Sequence, residues 1–139
     1  MRKVFSIIII LGLFLATNGC KKYEEGPGFS LASKKGRLVN VWKVQNVITN
    51  QIDVTDLWMF MNPDFAIEFK KDETWAVSTS KYNTTGKWSF DKKKEKIFLT
   101  TDNSTSVSEL TILKLKKDEL WTSEIQSNTE VTEIHFITK

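Results

Sequence analysis

Apolar and polar residues alternate along most of the chain that follows residue 37. Phe65, Ile67 and Phe69 alternate with small or charged residues, and so do Trp88 and Phe90. An alternation of period two is typical of strands with one buried face, and the abundance of β-branched and aromatic residues also favours strands over helices. Polar turns divide this pattern into eight predicted strands, near 39–49, 65–70, 73–80, 85–91, 95–101, 107–115, 118–126 and 130–138.

Two of the predicted turns share one local pattern. Phe69 to Trp75 and Leu115 to Trp121 each place an apolar residue, a charged turn and a tryptophan at the same spacing, and 90–98 is a looser version. We interpret these segments as hairpin turns between consecutive antiparallel strands. The predicted fold class is therefore all-β, an antiparallel up-and-down barrel of about eight strands. Closure removes the exposed edges of the sheet, and a flattened sandwich is the alternative.

The segment 53–64 does not follow the alternation. Residues 54–61 form another strand in one interpretation. In the other they form a short helix that is capped by Thr55 and packs over one barrel end before Asn62 and Pro63 end it. The apolar run 58–61 (WMFM) is then either a plug for the core or the soft surface of a lid, since such side chains adapt to varied partners.

The first twenty residues match a secretory signal. Arg2 and Lys3 precede an apolar run from Val4 to Leu15, which is shorter than the roughly 20 residues that span a bilayer. We therefore predict that residues 1–19 are a signal peptide that is removed from the mature protein.

Cys20 ends the segment LATNGC, which resembles the lipobox of bacterial lipoproteins. It is the only cysteine, so lipid attachment explains an unpaired thiol in an exported chain; a free or buried thiol behind an uncleaved anchor is the alternative. We predict cleavage between Gly19 and Cys20 and a membrane anchor through lipid on Cys20. The expected location is the outer membrane, on its periplasmic or cell-surface face.

Residues 20–36 are predicted to be a lipidated flexible tether, because charged residues pass there into a glycine- and proline-containing stretch at 26–28. Lys22 with the glutamates that follow resembles the export signal of lipoproteins in Bacteroidetes-type bacteria; a tether without a sorting role is the alternative. Residues 37–139 form one domain of roughly a hundred residues, which is large enough for a single core.

The charge balance changes when the signal is removed. The chain has 20 Lys and Arg against 17 Asp and Glu, and loss of Arg2 and Lys3 lowers the net charge from +3 to +1. Lysines cluster at 92–96 and 116–117 beside acidic residues, which is typical of solvated turns. We expect no nucleic-acid partner, since that would require a concentrated basic face with stacking aromatics.

Three segments carry a family likeness: VWKV at 41–44, the charged hairpin 65–75, and GKWSF at 86–90. Together they resemble the lipocalin-like domains of small Bacteroidetes-type lipoproteins, over Leu38 to Lys139. The resemblance implies a calycin-type barrel with room for a small apolar molecule and no catalytic residues.

Large aromatic rings dominate the positions that the alternation turns inward. An eight-stranded barrel is just wide enough to be filled by side chains or to hold one small ligand, so a packed core and a ring-lined cavity both stay open. The candidate ligand-binding residues are Trp42, Phe69, Trp75, Trp88, Phe90, Trp121 and Phe136.

The sequence does not favour an enzyme. His135, the only histidine, lies between Ile134 and Phe136 and is expected to point outward. The chain has no Cys–His cluster for zinc, no glycine-rich phosphate loop and no nucleophile elbow, and its paired carboxylates lie in polar turns. We expect no catalytic residue, metal or cofactor. Two hypotheses remain: a carrier or sensor for a small apolar ligand, and a packed scaffold that meets a protein partner at the cell surface.

Overall fold

The computed structural model describes residues 32–126 and 129–138, so the predicted signal peptide, Cys20 and most of the predicted tether lie outside the described residues. The helices within these ranges are α1 (Lys34–Leu38) and α2 (Thr55–Met61). The strands are β1 (Val41–Thr49), β2 (Ile52–Asp53), β3 (Ala66–Phe69), β4 (Thr74–Ser78), β5 (Asn83–Phe90), β6 (Lys96–Thr101), β7 (Val107–Leu115), β8 (Glu119–Ile125) and β9 (Val131–Thr138).

Eight of these strands close into an antiparallel barrel. Each strand from β3 to β9 pairs with the next, β1 pairs with β3, and β1 also pairs with β9 along Trp42 to Thr49. The short β2 is only a hairpin arm on the end of β1. The predicted all-β barrel is confirmed, and the β1–β9 pairing excludes the sandwich alternative because it leaves no free edge on either strand there.

The eight predicted strands are all present, with ends that differ from the prediction by at most two residues. The positions of the turns could be predicted accurately because carboxylate side chains bond the turn backbone locally. Asp91 accepts backbone N–H groups of Lys93, Glu95 and Lys96 at 2.6–3.1 Å, and Asp72 accepts the N–H of Thr74 at 3.1 Å. Side chains of Asp that bond their own turn backbone in this way stop one strand and start the next.

The turns alternate between two ends of the barrel, which we call the base and the mouth. At the base, α1 packs beside the turns 70–73, 91–95 and 116–118; Lys35 Nζ lies 2.7 Å from a Glu73 carboxylate oxygen. At the mouth lie residues 50–65, the turns 79–82 and 102–106, and residues 124–126 and 129–130. The Asn50 N–H donates to the Val131 carbonyl there.

Helix α1 closes the base and begins inside the segment 20–36 that was predicted to be tether. Ser33 caps it through a 2.9 Å bond from the Gly36 N–H. Leu38 is fully buried, and its carbonyl accepts the indole N–H of Trp42 at 2.9 Å. Residues 34–36 are therefore part of the folded domain, and the described chain enters the barrel at the base.

The core fills the base half of the barrel with interlocking rings. Phe69 and Trp88 meet edge to face at a centroid distance of 5.9 Å, and Trp88 meets Phe90 in the same way at 5.3 Å. Such contacts stabilise beyond the area that they bury. The buried cluster comprises Leu38, Trp42, Ile67, Phe69, Trp75, Val77, Trp88, Ile97, Ile112, Leu115, Leu120 and Phe136.

Candidate binding site at the mouth of the barrel

Helix α2 is positioned by the hydroxyl group of Thr55. This oxygen accepts the Val47 N–H and the Asn46 amide, each at 2.9 Å, and donates to the Asp53 carboxylate at 2.6 Å. The helical interpretation of 53–64 is correct and the strand interpretation is wrong. The predicted cap is also wrong, because Val54 occupies the N-cap and the Thr55 hydroxyl is bonded to β1 instead.

The side chains of α2 do not plug the core. None of its residues is buried. Trp58 meets Phe65 edge to face at 5.0 Å, which fastens the helix to the barrel, while Phe60 is 80% exposed and Leu57 59% exposed. The plug interpretation is therefore wrong, since α2 presents most of its apolar side chains to solvent.

Most of the large apolar side chains that the described residues expose lie at the mouth. Ile137, on the outer wall of β9, is the exception. We call the mouth set the apolar rim; it consists of Ile52, Leu57, Met59, Phe60, Met61, Tyr82, Val107, Ile125 and Val131. Scattered exposed apolar residues are ordinary, but a concentration at one end of a molecule is typical of an interaction site.

A cleft of about 380 Å³ separates α2 from the β8–β9 side of the mouth. We call it the mouth cleft. Its apolar lining is Val54, Leu57, Trp58 and Met61, and its polar lining is Thr49, Asn62, Gln126, Glu130 and Thr132. A second cavity, of about 240 Å³, lies on the other side of α2, and Trp58 and Asn62 line both. The helix thus separates two amphipathic depressions.

Glu124 is a half-buried carboxylate close to this cleft. Leu120, Thr122 and Glu124 occupy alternate positions of β8, and the first two are buried. Glu124 also pairs with the buried Thr132 on β9. Burial raises the pKa of the Glu124 carboxyl, and a hydrogen bond from Gln126 opposes the rise only in part. The inward alternation that begins at Leu120 is the sequence signal that identifies Glu124 as a carboxylate of the inner face.

We expect Glu124→Gln to stabilise the barrel at neutral pH. A carboxyl whose pKa is raised on folding favours the folded state fully only below its ordinary value of 4.5, and this contribution is lost as the pH rises through the folded pKa. The melting temperature of the variant should therefore exceed that of the wild type by up to a few degrees at neutral pH and match it at about pH 4.

The exposed Glu130 provides the control for this measurement. Glu130→Gln should leave the melting temperature unchanged at both pH values, because its carboxylate lies in solvent. A Glu124→Gln protein that melts below the wild type at neutral pH would show that the ionised carboxylate is stabilised by its surroundings rather than penalised.

The structure brings six of the seven candidate ligand-binding rings together in the core. Trp42, Phe69, Trp75, Trp88 and Phe136 are buried, and Phe90 is partly buried against them. The indole N–H of Trp75 is shared between two carbonyls of the wall, those of Lys87 and Thr100, at 3.1 Å each. None of these rings lines the mouth cleft, which depends instead on residues of α2.

Trp121 is the candidate that lies elsewhere: it faces outward from β8. Across the β7–β8 turn, Leu115 pairs with Leu120. Across the similar β3–β4 turn, Phe69 pairs with Trp75. The loop between the paired residues is therefore one residue shorter in the β7–β8 turn. A change of one residue moves a side chain to the opposite face of a strand. The similar sequence of the two turns therefore gave the wrong face for Trp121.

On the outer wall, Trp121 forms a stack with its cross-strand neighbours. The His135 ring lies parallel to it at 3.9 Å, and Lys114 Nζ lies 3.6 Å from its centroid. His135 thus points outward, as the sequence indicated, and contacts Glu133. The stack covers an otherwise exposed indole, and we interpret it as part of the wall.

Residues 32–126 and 129–138 contain no group of three or more His, Cys, Asp or Glu side chains placed to hold a metal ion. In the same part of the chain, neither helix has the length and apolar character required to cross a bilayer.

Comparison with known proteins identifies the fold. No family model matches the chain, and no curated protein is significantly similar to it. Among solved structures, the crystal structure of a DUF4847 family protein from Bacteroides vulgatus superposes with a TM-score of 0.51 at 15% sequence identity. The match covers 74% of this chain and 94% of the other. This chain therefore shares the small antiparallel barrel fold of a Bacteroides protein.

Proposed function

We propose that this protein is a lipid-anchored extracytoplasmic binding protein that captures a partner protein with its apolar rim. In this proposal residues 1–19 are a removed signal, Cys20 carries the lipid, and the lipocalin-like barrel is a scaffold that binds without catalysing a reaction. The outer membrane is the proposed location.

The exposure of the apolar rim carries this proposal. Phe60 is 80%, Ile125 71% and Ile52 66% exposed, although these three lie on α2, β8 and β2 respectively. Removal of apolar surface from water contributes roughly 25 cal/mol per Å², so covering several such side chains at once would drive association. The rim lies at the opposite end of β1 from α1, roughly 30 Å along a nine-residue strand, and thus points away from the tether.

The charge of the mouth defines the chemistry of the partner. The mouth segments 50–65, 79–82, 102–106, 124–126 and 129–130 contain six Asp and Glu residues and one lysine. An apolar surface bordered by carboxylates favours a partner whose own apolar patch is bordered by Lys and Arg, because complementary potentials accelerate encounter and exclude other partners.

The packing of rings in the base half of the lumen favours binding at the mouth over binding deep inside the barrel. Trp42 and Phe69 are almost completely buried, and the rings around Trp88 contact one another edge to face. A barrel of eight strands whose rings fill the base half offers rigidity to the loops at its mouth. The scaffold hypothesis therefore gains support over a ligand held deep in the lumen.

The lipid anchor is tested by metabolic labelling with an alkyne-tagged fatty acid. We expect the wild-type protein to be labelled and to fractionate with outer membrane, and Cys20→Ser to be unlabelled and to leave the membrane fraction. Labelling that survives in Cys20→Ser would disprove attachment at this residue.

The rim is tested by photo-crosslinking in the native host with a diazirine amino acid at single positions. Phe60 is the test position, and Ile137 is the matched control because it is an exposed apolar residue on the outer wall. We expect a discrete crosslinked protein from position 60 and none from position 137. The same products from both positions, or none from either, would contradict a partner at the rim.

A small amphipathic ligand is the second candidate occupant, and the mouth cleft is the observation that favours it. Its apolar side is formed by α2 and its polar side by Gln126, Glu130 and Thr132, a combination typical of small-molecule sites. Fatty acids titrated against tryptophan fluorescence should then change the emission of Trp58. A change that persists in Trp58→Phe would place the ligand elsewhere, and no change in the wild type would exclude fatty acids from the cleft.

A further inference from the structure

The near-neutral barrel separates its charges between its two ends. Four base segments, residues 32–40, 70–73, 91–96 and 116–119, contain eleven Lys and Arg against six Asp and Glu. The mouth segments contain one cation against six carboxylates, so a net charge of +5 at the base faces −5 at the mouth. Local sequence patterns do not predict this separation, because lysines from distant turns meet only when the strands alternate in direction.

The carboxylates of the base do not neutralise its outermost lysines. Glu73 and Glu119 are committed to ion pairs with Lys35, at 2.7 Å, and with Lys116, at 3.2 Å. Asp91 is committed to its own turn through three backbone N–H groups. Four exposed lysines have side chains with no hydrogen bond or ion pair to any described residue: Lys71, Lys92, Lys93 and Lys117.

These lysines project from three separate turns around α1, so they form a ring of positive charge rather than a single point. Helix α1 joins two of the turns directly: Lys35 pairs with Glu73 of one, and Lys34 Nζ donates to the carbonyl of Lys94 in another at 2.8 Å. The positive ring therefore surrounds the place where the chain leaves the barrel toward residue 20.

We propose that the base of the barrel docks on an anionic lipid surface. Each lysine close to a membrane of negative surface potential contributes attraction that falls off within about a Debye length, 8–10 Å. Twelve residues separate Cys20 from Ser33. A chain of that length spans at most about 40 Å when fully extended, which keeps the base within reach of the membrane. Docking fixes the orientation of the barrel and directs the apolar rim outward.

This inference relies on the proposed anchor at Cys20 only for the distance to the membrane; the attraction between the base and anionic lipid is a separate claim, independent of the anchor and of the partner at the rim. The test therefore uses the chain from residue 20 with Cys20→Ser, so that no acyl chain contributes to binding. Co-sedimentation is measured with vesicles of phosphatidylglycerol and phosphatidylcholine in equal parts, and with vesicles of phosphatidylcholine alone. The base variant is Lys93→Glu with Lys117→Glu, and the matched control is Lys43→Glu with Lys81→Glu, which changes the net charge equally away from the base.

The expected result is binding to the anionic vesicles alone, at low ionic strength, with at least about tenfold weaker binding by the base variant. The control variant should bind like the parent protein, and circular dichroism should show both variants folded. Equal weakening of vesicle binding by the two variants would show that net charge alone accounts for the binding, and would overturn the proposal. Equal binding to neutral vesicles, or no binding to either vesicle, would also overturn docking on a lipid surface.

Discussion

Gly86→Ala should destabilise the barrel by about 3 kcal/mol or more, because the added methyl group has no space. A Cβ atom at this position would lie 1.8 Å from the carbonyl oxygen of Thr100 and 2.8 Å from Nε1 of Trp75. The first of these atoms belongs to the backbone of β6, and the indole is held by its bonds to two carbonyls. The carbonyl cannot move without disturbing the pairing of β5 with β6, and the indole cannot move without breaking its bonds to the two carbonyls.

Thermal unfolding followed by circular dichroism measures this effect. A loss of about 3 kcal/mol corresponds to a fall in melting temperature of about 12 °C or more for a domain of this size. Gly36→Ala is the control, since its Cβ would approach only Ser33 Oγ, at 3.1 Å, within a helix that favours alanine. A Gly86→Ala protein that melts within about 3 °C of wild type would refute this account of the β5–β6 contact.

Leu57→Asp combined with Phe60→Asp should remove binding of the partner that crosslinks to position 60. Truncation of one central apolar anchor often costs 2 kcal/mol or more, and two buried charges add the cost of desolvation, so we expect at least about 100-fold weaker binding. Stability should change little, because the two side chains are 59% and 80% exposed. The crosslinked partner, once purified, allows the dissociation constant to be measured directly.

Ile137→Asp is the control for that experiment. It introduces the same charge at an exposed apolar position on the wall, beside β8 and away from the mouth. Binding by this variant should equal that of wild type. Unchanged binding by the double variant, or equal loss in both proteins, would locate the partner outside the apolar rim.

The strands were predictable because short-range physics determines them. Alternation at residues 66–69, 74–78 and 119–122 reports a buried and a solvated face, and carboxylates such as Asp72 and Asp91 bond the turns that separate the strands. Closure could be inferred as well, since an eight-stranded meander with free edges would expose unpaired backbone groups.

The features that the sequence did not predict depend on contacts between distant residues. The face of Trp121 depends on a register that is one residue shorter than that of a similar turn. The exposure of α2 depends on Thr55 bonds to β1 and on a core already filled by other rings. The separation of charge between base and mouth depends on which turns share an end. None of these can be read from local pattern alone.

The central claim, that the mouth carries the binding surface of an anchored barrel, is tested most directly by thiol labelling in the native host. Cys20 is the only cysteine and is proposed to be lipidated, so a cysteine introduced elsewhere provides a unique reactive thiol. The labelling rates of Phe60→Cys and of the wall variant Ser89→Cys are compared on whole or permeabilised cells and on purified protein. We predict that labelling at position 60 is slowed only in cells, whereas position 89 reacts equally in both. Equal rates at position 60 in cells and in purified protein would contradict the account.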